Sequence, residues 1–187
     1  MQRCPWSFRR SAAAVVAVVA LAACSPLGDD APTSDLGSPT PAASPSLADE
    51  QQAAVVTVLE YFRVADELRS DPESDIDLLL DVADGERHAF HVEEIEGRRE
   101  RGIVQVGEAS YEILTIGAVE DVDGRTLVRI SACSDSSAVD MIDVATGESV
   151  LTDEREFHVY WVLDVAEDGS LWKVVDGASE VRDPCGD

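Results

Sequence analysis

In this 187-residue chain the spacing of apolar residues changes character at Gly102, and the change decides the fold class. Before it, Val55, Val58, Leu59, Phe62 and Ala65 recur at i, i+3, i+4, i+7 and i+10. That is one face of a helix running to about Arg69, with Ser46-Leu47-Ala48-Asp49 as a capping box at its start and Asp71-Pro72 at its end. Ser74-Asp75-Ile76-Asp77 caps a shorter helix through Leu78, Leu79, Leu80 and Val82 that stops at Gly85. A third helix, Glu86 to Arg101, directs Phe90, His91, Val92 and Ile95 inward, and its last turn carries Arg98, Arg99 and Arg101, where the helix dipole favours cations.

After Gly102 the period falls to two. Strands are expected at about 103–107, 109–120, 125–133, 138–143, 150–165 and 170–177, with turns at Asp121-Val122-Asp123-Gly124, Asp143 to Gly147 and Glu167-Asp168-Gly169. In the longest, Phe157, Val159, Trp161, Leu163 and Val165 alternate with His158, Tyr160, Val162 and Asp164, as in a sheet with one face covered by helices. Helices first and an antiparallel sheet afterwards make an α+β fold with segregated layers.

The residues ahead of this domain have a different logic. Met1 to Arg10 holds three arginines and no acid, and an unbroken small apolar run follows from Ser11 to Ala23, the layout of an export signal. The run is shorter than the roughly 20 residues a spanning helix needs. It ends in Leu21-Ala22-Ala23-Cys24, which resembles the lipobox of bacterial lipoproteins. That resemblance implies that residues 1–23 are a lipoprotein signal peptide and that Cys24 is acylated. An ordinary secretory signal is the competing reading. Arg9-Arg10 lacks the large apolar residue that usually follows a twin-arginine pair, which favours Sec export.

From Ser25 to Leu47 the chain has five prolines, five serines, two threonines and two glycines, with no aromatic, lysine or arginine. It is too poor in apolar surface to offset the entropy of ordering. Residues 24–47 are therefore expected to be a lipidated cysteine and a disordered linker between membrane and domain, a plain spacer in preference to an O-glycosylated stalk.

Charge narrows the partners. With 38 acidic against 14 basic residues the formal charge is −24, and losing the three arginines of the signal takes it to −27. A nucleic-acid partner is excluded, since phosphate binding needs a basic surface. The acid clusters Asp71, Glu73, Asp75 and Asp77, and Asp121 with Asp123, lack the loop spacing and distal glutamate of a calcium-binding hand, and read as solvated caps and turns. Of four cysteines, Cys4 leaves with the signal and Cys24 goes to lipid. Cys133 and Cys185 remain, and in an exported domain they most simply form a disulfide, a metal pair being the alternative. His88, His91 and Glu94 stand three apart on the third helix, but nothing announces a further ligand, and Glu94 is equally placed to pair with Arg98. Neither a metal nor a cofactor is expected.

Three helices and a long meander closing on Leu171-Trp172-Lys173-Val174-Val175-Asp176 resemble the nuclear transport factor 2-like (cystatin-like cone) superfamily. More narrowly, Arg98-Arg99-Glu100-Arg101-Gly102, Cys133-Ser134-Asp135-Ser136-Ser137, the Asp143-to-Gly147 turn, the Trp172 strand and Cys185 resemble exported lipoproteins of high-GC Gram-positive bacteria. The resemblance spans residues 48–187. It implies a cone between helices and sheet, with Tyr61, His91, Tyr111, Tyr160 and Trp161 as candidate lining. Some members of the superfamily resemble ketosteroid isomerase or polyketide cyclase, whose chemistry needs an acid in an apolar pocket poised near the working pH. No acid falls convincingly inward here, and no nucleophile motif, phosphate loop or CxxC pair is present.

The expected function is thus a lipid-anchored protein on the extracytoplasmic face of the cell membrane with a non-catalytic domain that binds an envelope protein or a small apolar ligand. The alternatives are an isomerase- or cyclase-like enzyme and an assembly component of an envelope or secretion complex. Cys24→Ala is expected to move the protein from the membrane fraction to the soluble one, as one buried acyl chain alone holds only marginally and the thioether-linked lipid would be lost with the thiol. Unchanged fractionation of the variant would refute the anchor.

Overall fold

The computed structural model describes residues 47–152, 154–182 and 185, which belong to a compact unit spanning Ser44–Asp187. The export segment, Cys24 and the linker up to Ser46 lie outside the described residues. No described helix is long and apolar enough to cross a membrane.

Helix α1 (Asp49–Ser70) buries Ala54, Val58, Tyr61, Phe62, Ala65 and Leu68 along one stripe. Its N-cap is Ala48, which has no side-chain oxygen to offer. Gln51 supplies only the reciprocal half of a capping box, its Oε1 accepting from the Ala48 amide at 3.1 Å. The helix stops at Asp71, as Pro72 dictates. The expected second helix is reduced to a 3₁₀ turn (Ile76–Leu78), capped by the Asp75 carboxylate on the Asp77 amide at 3.0 Å, and a single α turn, α2 (Leu79–Val82). Leu79 and Val82 are buried, while Leu80 faces solvent.

Helix α3 (Gly85–Glu100) begins at the residue expected to end its predecessor. Asp84 is its N-cap, and Gly85 takes the positive φ of 57° that the abrupt turn requires. Its buried face is Arg87, His91 and Ile95, an i, i+4, i+8 stripe. The expectation that Phe90 points inward is corrected: it is 53% exposed. Its ring instead covers the guanidinium of Arg87 at 5.0 Å, and the arginine has taken the inward position.

Strands β2 (Ser110–Val122), β3 (Arg125–Asp135), β5 (His158–Asp168) and β6 (Leu171–Val181) form an antiparallel sheet in the order β2-β3-β5-β6. Strands β1 (Ile103–Val106) and β4 (Asp140–Asp143) pair separately, with Gln105 opposite Met141. The sheet curves for local reasons. Register shifts fall between Ile113 and Thr115, between Ile116 and Val119, and between Asp164 and Val165, and extra residues on one strand of a pair bend it. Gly117 sits in one such irregularity, where a Cβ would come within 2.9 Å of the Arg129 carbonyl. The concave face presents Val128, Ile130, Ala132, Leu163, Val165 and Val174 to the buried stripe of α1.

The sequence-based strand at 150–165 is too long at its start. Strand β5 begins at His158, and residues 150–157 run irregularly. There Arg155 stacks on Phe157 at 4.7 Å and donates to the carbonyls of Ser136 and Val139, tying this stretch to the β3–β4 loop instead of continuing the ladder.

On the convex face Cys133 and Cys185 are joined, with Cα atoms 5.7 Å apart and 52 residues between them in sequence. The bond pins Cys185 to the C-terminal end of β3. On the loop-entropy argument it contributes about 4 kcal/mol. Intact mass without reductant is expected two hydrogens below the dithiol value, and Cys133→Ser with Cys185→Ser is expected to lower unfolding stability by up to that amount. Two free thiols in the native protein would contradict the bridge.

Candidate functional site

Between α1 and α3, at the level of β5, the interior is polar. Arg87 is 6% exposed, and its Nε donates to the hydroxyl of Tyr61, which in turn bonds His91 Nε2. His91 Nδ1 lies 3.2 Å from Glu94 Oε2. The network therefore assigns the proton on Nδ1 to Glu94, leaving Nε2 to accept from Tyr61. Glu94 also receives Arg69 Nη2 at 2.9 Å and the Nε of Arg98 one turn on. A single chain of hydrogen bonds thus runs Arg87–Tyr61–His91–Glu94–Arg69/Arg98, from the interior to the open end of the fold.

Burial sets the protonation of these groups. It pushes His91 below its ordinary 6.5, reinforced by the Arg69 and Arg87 charges and only partly opposed by the bond to Glu94. Burial would raise Glu94, but the His91 hydrogen bond and the Arg69 and Arg98 charges outweigh it and hold the carboxyl well below the usual range. Burial likewise raises Tyr61 against the pull of Arg87.

Beyond this chain a cavity of about 270 Å³ opens between α1, the β1–β4 pair and the ends of β2, β3 and β5. Phe62 stacks on Tyr111 at 4.2 Å and meets Trp161 edge-on at 5.6 Å. The hydroxyl of Tyr111 donates to Asp66 Oδ2 at 2.9 Å, and the Trp161 indole donates to Ser134 Oγ at 2.9 Å. Arg69, Arg98, Arg155 and Gln105 also line the space.

Of the five candidate lining residues, His91, Tyr111 and Trp161 border the cavity. Tyr61 is fully buried behind it, bonded to His91. Tyr160 is a correction. It pairs in register with Cys133 and Glu180 and lies under the guanidinium of Arg182 at 4.3 Å, on the convex face. Neighbours on one strand point to opposite faces, so Tyr160 and Trp161 could not share one cavity. His88 borders an outer groove with Val92 and Glu96, while His91 turns to Tyr61, so the two imidazoles do not converge. Among the described residues no group of three His, Cys, Asp or Glu side chains could hold a metal ion. The acid clusters make local turns: Asp71 Oδ1 accepts from the Glu73 amide and Asp121 Oδ1 from the Gly124 amide.

No protein-family model matches the chain, and no curated protein matches it. Among solved structures, the domain is similar to the crystal structure of the intermembrane space region of the chloroplast protein ARC6, with a TM-score of 0.52 and 18% identity over 74% of this chain and 100% of that one. The solution structure of the putative transfer protein TraH from the Gram-positive conjugative plasmid pIP501 aligns at a TM-score of 0.37 and 11% identity, over 73% of this chain and 96% of that one, too low to carry an argument. The first likeness shows a shared α+β fold. What the cavity does must be read from its own groups.

Sequence reasoning missed Arg69, Arg87 and Arg155. The first two had a signal: Arg69 is four residues beyond Ala65 on the Tyr61 stripe, and Arg87 is four before His91. Arg155 had none, since it sits in a segment taken for strand.

Acid sensitivity follows from the two depressed groups. The unfolded chain binds protons that His91 and Glu94 refuse when folded, so their contribution is complete above the unfolded values and disappears as pH falls through the folded ones. Denaturation profiles are expected to be flat above about pH 7, to decline as pH drops below 6.5 and to fall again below 4.5. His91→Gln should flatten the upper step selectively. Constant stability down to about pH 5 would count against a buried neutral His91.

Proposed function

We propose that this chain is an exported lipoprotein of the cell envelope, anchored at Cys24, whose domain over residues 48–187 is a nuclear transport factor 2-like cone serving non-catalytic binding on the extracytoplasmic side. Support for the cone comes from three helical segments laid against the concave face of a bent antiparallel meander, with a cavity at one end. The binding reading rests on the state of the nearby carboxylates.

An isomerase- or cyclase-like enzyme needs an acid of raised pKa with a free oxygen facing substrate. Glu94 is driven the opposite way and has both oxygens engaged by Arg69, Arg98 and His91. Asp66 accepts from Tyr111 on one oxygen and lies 3.5 Å from Arg69 Nη1 on the other. Neither is poised to take a proton from carbon. The cavity can hold a molecule, and its walls are set to recognise rather than transform it.

Thermal melting of the purified full-length protein against a panel of small apolar and amphiphilic molecules tests this. At least one compound is expected to raise the melting temperature of the wild type and not of Trp161→Ala. A panel with no stabilising compound, or a compound converted to product in a manner that depends on Asp66 or Glu94, would overturn the reading.

A further inference from the structure

The cavity's charge runs against that of the chain. Three guanidinium groups, from Arg69, Arg98 and Arg155, line it, while one carboxylate, Asp66, lines it and a second, Glu94, stands behind Arg69 and Arg98. Burial disfavours a charge on His91, so the lining side chains bring three positive charges against one negative, with Glu94 behind Arg69 and Arg98 and Asp140 in reach of Arg155, in a chain of formal charge −24.

Of the three, Arg155 is the one with no ion-paired carboxylate among the described residues. Its Nη2 donates to the Ser136 and Val139 carbonyls, which position the side chain without neutralising it, and no described carboxylate lies within ion-pair distance. The Asp140 carboxylate, near enough to feel its charge, is engaged by Ser149 Oγ and the Met141 amide. Gln105 is a second unanswered group. It is 7% exposed and lines the same space, and its side-chain amide has no hydrogen-bond partner among the described residues. The residue as a whole is buried, but its amide is not shut away from solvent: it opens on the cavity, available to a ligand that lies along the wall Arg155 also lines.

We propose that the cavity binds a small monocarboxylate, its carboxylate received by Arg155 and the Gln105 amide and its hydrocarbon laid against Phe62, Met141 and Trp161. This deepens the binding function proposed above and rests on it. The volume, about 270 Å³, lies just under the range typical of drug-sized ligand sites, which suits a small ligand. A larger groove beside it shares Arg98, Met141 and Leu151 with the cavity and sets Phe90 and Val150 among Glu93, Arg98 and Arg101, a mixed surface over which a longer tail could leave.

Charge makes the class narrow. A neutral ligand leaves Arg155 and Gln105 unanswered, and a cation meets three arginines. A polyanion is repelled by the acidic exterior, whereas a single negative charge is shielded from that field beyond about 8 Å at physiological salt and feels mainly the arginines.

Calorimetric titration of the full-length protein with octanoate, octanol and octylammonium, matched in chain length, tests the proposal. Octanoate is expected to bind about tenfold or more tightly than octanol, and octylammonium not at all. Arg155→Leu should bring octanoate down to octanol, Arg155→Lys should retain part of the difference, and Gln105→Leu should lose a smaller part of it. Should Arg155→Leu fail to fold, Gln105→Leu and a salt titration decide: octanoate affinity must fall with salt while octanol affinity does not. Octanol binding as tightly as octanoate would overturn the anion assignment and leave the cavity a binding site. Binding by none of the three would overturn the assignment and the small-molecule reading together.

Discussion

Helices α1 and α3 meet at the hydroxyl of Tyr61, and much of the open end depends on that meeting. An arginine and a histidine on the inward stripe of α3 would be prohibitive to bury alone, each unanswered polar group costing about 1–3 kcal/mol. The Tyr61 oxygen answers Arg87 on one side and His91 on the other. Arg87 keeps one nitrogen, Nη2, buried without a partner, and its guanidinium lies 5.0–5.7 Å from the rings of Tyr61, Phe90 and Trp161, whose faces attract the charge that hydrogen bonds leave over. Because these bonds are directional, they fix the rotation of α3 about its axis. The rotation places Glu94 where it holds Arg69 and Arg98 toward the cavity.

The two layers therefore have different ends. Toward Leu79, Val82 and Val174 the space between helix and sheet is filled by aliphatic side chains at essentially zero exposure. Toward Tyr111 and Trp161 the separately paired strands β1 and β4 stand off the main sheet, and the aromatic rings line a space without filling it. Bulges that bend β2 and β6 create this difference, since a flat sheet would meet α1 evenly along its length.

How far the sequence makes this legible depends on which force decides each feature. The switch from helical to alternating spacing at Gly102 follows from burial of one face and foretells the α+β order, and two cysteines left over in an exported domain foretell the disulfide. The start of β5 was illegible because Val150-Leu151-Thr152 is β-prone locally, while the Arg155 contacts to distant carbonyls that keep the segment irregular are tertiary. Inward Arg87 left only the faint signal of its spacing from His91, because arginine is rarely buried unless paired and its partner Tyr61 is 26 residues away in neither register nor motif. Tyr160 is the opposite case: strand alternation alone separates it from Trp161, and choosing aromatic residues without regard to face set it beside a cavity it does not touch.

Arginine in place of lysine is what lets a strongly acidic domain carry cations inward. The chain has a single lysine, Lys173, so every positive group at the cavity is a planar, weakly hydrated guanidinium that can stack on a ring and bond in a fork, which a compact ammonium does not do as well. Arg155 on Phe157 and Arg87 among three rings use that property, and Arg69 uses the fork on Glu94. Arg87 and Arg155 are held by rings and by hydroxyl or carbonyl oxygens, and Arg69 and Arg98 share Glu94, so few carboxylates need follow the arginines inward. Salt screens the field of the exposed carboxylates over about 8 Å at physiological ionic strength, whereas the partly buried arginines at the cavity are screened much less.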